Sequence, residues 1–95
     1  MNIVPNYDTI SMNNKQKKTY EDIYTEPVST TISWIDIESL LLALGAEITE
    51  GSGSRARVKL NGARAVFHRP HPDKNTDKGA IKSVRKFLEN AGVEI

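Results

Sequence analysis

GAEITEGSGSRARVKLNGARAVFHRPHP, residues 45–72, carries almost every side chain of this 95-residue chain that can do chemistry, and its alternation decides the fold. At its centre Asn61-Gly62 lies between two alternating runs. Both residue types tolerate the positive φ that a two-residue type I′ hairpin requires. Such a loop sets the register. Leu60 then faces Ala63, Lys59 faces Arg64, Val58 faces Ala65, Arg57 faces Val66, Ala56 faces Phe67 and Arg55 faces His68. Because side chains alternate along a strand, one face gathers Leu60, Ala63, Val58, Ala65, Ala56 and Phe67 as a core. The other gathers Lys59, Arg64, Arg57, Val66, Arg55 and His68, a cationic surface with one imidazole. Isoleucine-threonine alternation within 46–50 predicts a third strand, joined through Gly51-Ser52-Gly53.

Upstream, Ser33 and Asp36 resemble the capping pair of a helix start, and Trp34, Ile37, Leu40, Leu41 and Leu44 recur at helical spacing up to Gly45. That spacing leaves Asp36, Glu38 and Ser39 toward water, and the leucine face is expected to lie on Val58 and Phe67. Tyr20, Ile23 and Tyr24 predict a short helix over 17–24, stopped before Pro27, since a residue preceding proline is pushed out of the α region. Residues 1–15 are polar and aperiodic and read as a loosely attached tail. Downstream, Arg69-Pro70-His71-Pro72 reads as a stiff turn. Thr76 or Asp77 can cap a last helix over 78–91, with Ile81, Val84, Phe87 or Leu88, and Ala91 as its apolar stripe. The expected fold is α+β: a three-stranded antiparallel sheet in an α-β-β-β-α order, with an extra short N-terminal helix and the helices on one sheet face. The expected division is a flexible N-terminal segment over 1–30, carrying the short helix, and a domain over 31–95.

Ninety-five residues suffice for one modest core. With no cysteine, disulfide scaffolds, thiol nucleophiles and cysteine-ligated zinc are excluded. No apolar run approaches a membrane span and the N-terminus lacks a signal-peptide core, so a cytoplasmic protein is expected. The net charge of +1 conceals an asymmetry. Residues 1–51 hold three basic side chains against eight acidic ones, while 52–86 hold ten against Asp73 and Asp77, which puts these parts near −5 and +8. A basic half of that kind suits a polyanion, because Lys and Arg displace counterions from phosphates; the plainer reading is a solvated surface.

Three kinds of group can carry chemistry: His68, His71, and the arginines and lysines around them. A general base beside guanidinium groups is a sufficient kit for cleaving RNA without a metal. The base takes the proton of the 2′-hydroxyl while arginine stabilises the charge on the phosphorane. His68 is the first candidate and His71 the reserve. The plainer readings are a hydrogen-bonding residue at a strand end for His68 and a loop residue held between two prolines for His71. No carboxylate stands in a recognised metal-binding spacing with the two histidines, so neither a metal nor another cofactor is expected.

The segment from Trp34 to Val93 resembles the HicA family of toxins from HicA–HicB toxin–antitoxin systems. The resemblance rests on Ile37-Glu38-Ser39-Leu40-Leu41 ending at Leu44-Gly45, on Gly53-Ser54 entering the second strand, and on His71-Pro72 after the third. It continues in Lys78-Gly79-Ala80 and the basic helix ending at Asn90-Ala91-Gly92. It implies a fold similar to a double-stranded-RNA-binding domain and a toxin that cleaves or blocks translated mRNA, held in check by a HicB-type antitoxin. In the family the catalytic histidine follows a Gly-Ser pair, whereas Arg55 follows Gly53-Ser54 here. Directly opposed residues have Cβ atoms about 4.5–5.5 Å apart, so His68 still delivers an imidazole to that patch from the third strand.

The expected activity is therefore an endoribonuclease, an mRNA interferase, with catalytic His68 or His71. Ser54, Arg55, Arg57, Lys59, Arg64, Arg69, Lys78, Lys82 and Arg85 are its expected RNA contacts, with Lys86 beside them. The alternatives are a non-catalytic RNA-binding module of the same fold and a protein-interaction domain that works through its acidic first half. Steep salt dependence separates the RNA readings from the last. No membrane or small-molecule partner is expected.

Overall fold

A computed structural model describes residues 12–70 and 75–93. Helix α1 spans Asn14–Tyr24 and α2 spans Trp34–Ala43; strands β1 (Glu47–Glu50), β2 (Arg55–Leu60) and β3 (Ala63–His68) follow, then helix α3 (Lys78–Asn90). The strands form one antiparallel sheet in the order β1-β2-β3, and the fold is α+β. Each pair expected from the turn is present, from Leu60 opposite Ala63 to Arg55 opposite His68. Asn61 and Gly62 adopt φ of 51° and 86°, which the tight turn demands. The Asn61 side chain also donates to the Ala91 carbonyl at 3.0 Å, tying the turn to the end of α3.

Helices α2 and α3 lie on one face of the sheet, and α1 packs against both of them. Ala56, Val58, Leu60 and Phe67 are buried against them, with Ala63 and Ala65 half-buried at the margin. The Trp34 ring centroid lies 5.4 Å from that of Phe67, and Phe87 meets Phe67 edge-on at 5.9 Å, so α2 and α3 both close on β3. Ile37, Leu40, Leu41, Ile81, Val84 and Leu88 are fully buried between the layers. Each such side chain contributes about 1.5–3 kcal/mol relative to exposure.

The helix ends show which local signals operate. Ser33 accepts from the Ile35 N–H at the start of α2, and Asp77 rather than Thr76 caps α3, accepting from the Ala80 N–H at 2.7 Å. Thr76 is instead buried, its own N–H donating to the Ile32 carbonyl at 2.8 Å. Helix α1 begins three residues before the expected Lys17, because Asn13 and Gln16 form a reciprocal capping box. Met12, Ile23 and Ile32 lie in the core cluster, so the helix preceding α2 packs into the domain. Residues 1–11 of the expected tail lie outside the described residues. Among the described residues no helix is long and apolar enough to cross a membrane.

Two arginines brace these elements. Arg85 on α3 donates to the Ile23 carbonyl at 2.6 Å, the Thr25 carbonyl at 3.0 Å and the Glu26 carboxylate at 2.6 Å, with its guanidinium 5.8 Å from the Tyr24 ring centroid. It thereby satisfies carbonyls at the C-terminus of α1, where a helix leaves them without internal partners. Arg69, just past β3, donates to Glu38 of α2 at 2.7 Å and to Glu50 of β1 at 2.5 Å. Glu38, expected to face water, also accepts from the Trp34 indole N–H. That expectation fails because helical spacing alone does not show that a guanidinium from a distant strand end reaches the same face.

Truncating either arginine to methionine leaves carbonyls or carboxylates unpaired. Arg85→Met and Arg69→Met are each expected to cost about 1–3 kcal/mol, a fall in Tm of several degrees by thermal melting. The Arg69 hydrogen bond holds the Glu50 carboxyl below its ordinary value of 4.5. A lowered folded-state pKa gives stability that is present above the ordinary value and lost as pH falls through the lowered one. The Tm gap between wild type and Arg69→Met is therefore expected to be wider at pH 7 than at pH 3; an unchanged gap would remove the Glu50 pair from the account.

Candidate nucleic-acid interface

The sheet face turned away from the helices is open, and strand register orders its side chains into rows across the strands. Arg55 and His68 form the first row, Thr49, Arg57 and Val66 the second, and Glu47, Lys59 and Arg64 the third. All of these side chains are exposed. The β2–β3 part of this arrangement follows from the Asn61-Gly62 turn. The places of Glu47 and Thr49 escape sequence reasoning, because the connection over 51–54 has no diagnostic turn chemistry from which the β1–β2 register could be counted.

In the first row the Arg55 Nε lies 3.5 Å from the His68 Nε2, with the guanidinium placed to donate. The distance is at the outer limit of a hydrogen bond, so both groups stay available to a third party. The Gly51 N–H donates to the Arg55 carbonyl at 2.8 Å, and the Arg69 N–H to the Ser54 carbonyl at 2.8 Å, which pins both strand ends at this row. A Cβ on Gly51 would stand 3.1 Å from the Arg55 Cβ, a tight contact, and 3.5 Å from the Arg57 Nε, so the chain passes close to both arginines here. Ser54 is exposed at the mouth of the row. Farther along, Glu47, Thr49, Arg57, Lys59, Arg64 and Val66 line a shallow depression of about 480 Å³.

Apart from Arg55, which donates to His68, the cations expected to meet RNA divide into three groups. Arg57, Lys59 and Arg64 make no ion pair or side-chain hydrogen bond among the described residues. Arg69 and Arg85 are engaged by internal acceptors, and their side chains are only 25% and 18% exposed. Lys78 and Lys82, with Lys86, are exposed on α3, whose buried side faces the sheet, so they stand in the helical layer, away from the open face. His71 lies outside the described residues. Among the described residues no group of three or more histidines, cysteines or carboxylates could hold a metal ion.

No curated protein and no solved structure matches the chain. The family model described as the HicA toxin of bacterial toxin–antitoxin systems matches residues 34–93, from the first residue of α2 to just past the end of α3. That span holds the whole sheet, both helices that close on β3 and every member of the three rows, and with more than half of its length matched the chain belongs to the HicA toxin family.

Proposed function

We propose that this toxin binds mRNA on its open sheet face and cleaves it by histidine-assisted transesterification, with His68 as the general base. The supporting observation is the 3.5 Å approach of the Arg55 Nε to the His68 Nε2 on an exposed row. A scissile phosphate set over this row receives both functions. The imidazole takes the proton of the neighbouring 2′-hydroxyl, the 2′-oxygen attacks phosphorus, and the 5′-oxygen leaves with a proton from solvent, giving a 2′,3′-cyclic phosphate. Arg55, with Arg57 behind it, stabilises the charge that builds on the phosphorane oxygens. The hydroxyl of Ser54 positions a non-bridging oxygen. No step requires a metal. Arg69 and Arg85 are assigned to bracing the fold instead of holding RNA, since their donors already have acceptors.

The toxin works in the cytoplasm against a HicB-type antitoxin, whose acidic groups mask the cationic rows by charge complementarity. A second reading, RNA binding without cleavage, is favoured by one observation: Arg55 occupies the position after Gly53-Ser54. Both readings use the same face and differ only in what His68 does.

Incubation of the purified toxin with single-stranded RNA in excess chelator separates them. Cleavage is expected, and His68→Ala is expected to lower its rate about 10²–10⁴-fold with melting temperature unchanged. Loss of cleavage in His71→Ala alone would move the base to the 71–74 segment, and binding without any cleavage would establish the second reading.

A further inference from the structure

The open face has a repeat, and that repeat fits a particular form of nucleic acid. Successive rows are two residues apart along β2, a rise of about 6.6–6.8 Å, and neighbouring strands stand about 4.8 Å apart. Arg55, Arg57 and Lys59 thus form a central column about 13 Å long on β2, one cation per row. On one side, β3 contributes His68, Val66 and Arg64; on the other, β1 contributes Thr49 and Glu47. The row spacing is of the order of the distance between successive phosphates in an extended single strand.

Resting on the reading of this face as the RNA site, we propose that it is a single-strand track that takes one nucleotide per row. Phosphates sit over Arg55, Arg57 and Lys59, with Arg64 reinforcing the third, and the strand to be cut enters with its reactive 2′-hydroxyl on the His68 side. Three features favour a single strand over a duplex. The exposed cations of β2 lie on one line, whereas a duplex presents two phosphate lines separated by a groove. Val66, 57% exposed, places an apolar surface among the cations, where an unstacked base or ribose can pack and the edge of a stacked pair cannot. Thr49 and Glu47 border the column with a hydroxyl and a carboxylate, groups that can meet the exposed edges of splayed bases. The lysines of α3 stand in the other layer and are not part of the track.

The test uses full-length protein and non-cleavable 2′-O-methyl oligoribonucleotides, so that binding is read apart from cleavage. Affinity is expected to rise with length from two to four nucleotides and then level off, and a 12-base-pair duplex of the same composition is expected to bind at least tenfold more weakly. The slope of log affinity against log salt is expected to be about −2 for the single strand, as three phosphate contacts give. Arg57→Ala and Lys59→Ala are each expected to reduce its magnitude by about 0.7, Arg57→Lys to restore it, and Lys82→Ala to leave it unaltered. Equal affinity for the duplex, or slopes unmoved by the β2 substitutions, would overturn the track. Failure of every oligonucleotide to bind would also overturn it and give the face to the antitoxin. Track-like binding with no cleavage of ordinary RNA would leave the track standing and remove His68 as a base.

Discussion

The two-residue turn at Asn61-Gly62 is the constraint on which the rest depends. Its positive φ values close β2 onto β3 in one register, and a slip of a single residue would turn every side chain of one strand to the opposite face. In the observed register Val58, Leu60 and Phe67 meet the helices while Arg55, Arg57, Lys59, Arg64 and His68 meet water. Core and cationic surface are thus two consequences of the same turn. The Asn61 side chain carries the constraint further by anchoring the turn to the end of α3.

The cations of the described residues fall into two sets that stand apart in space, those paired inside the fold and those exposed on the open face. Arg69 and Arg85 sit at junctions between elements, where orphaned carbonyls and carboxylates of α1, α2 and β1 take up their donors. The cations of the open face point away from those acceptors, and the nearest carboxylate on that face, Glu47, is at its edge. Helix α1 lies outside the stretch matched by the HicA family model, yet it contributes Ile23 to the core and receives the Arg85 clamp, so the family core and its N-terminal addition form one packed unit.

Much of this was legible locally. The capping of α2, the apolar stripes of α2 and α3, the hairpin register and the opposition of Arg55 to His68 all follow from period and turn chemistry, which act within a few residues. The early start of α1 was written in Asn13 and Gln16 and is readable as a capping signal.

By itself, then, the sequence determined the fold class and the two faces of the β2–β3 hairpin, because alternation and turn geometry are properties of neighbouring residues. Only the tertiary structure decided which basic side chains are free. Arg69 finds Glu38 across 31 positions of the chain, and Arg85 finds Ile23 across 62. No local pattern encodes those meetings, because an ion pair depends on which distant backbone the packed core brings within 3 Å, and in the linear sequence a bracing arginine and an arginine of the open face are the same residue type.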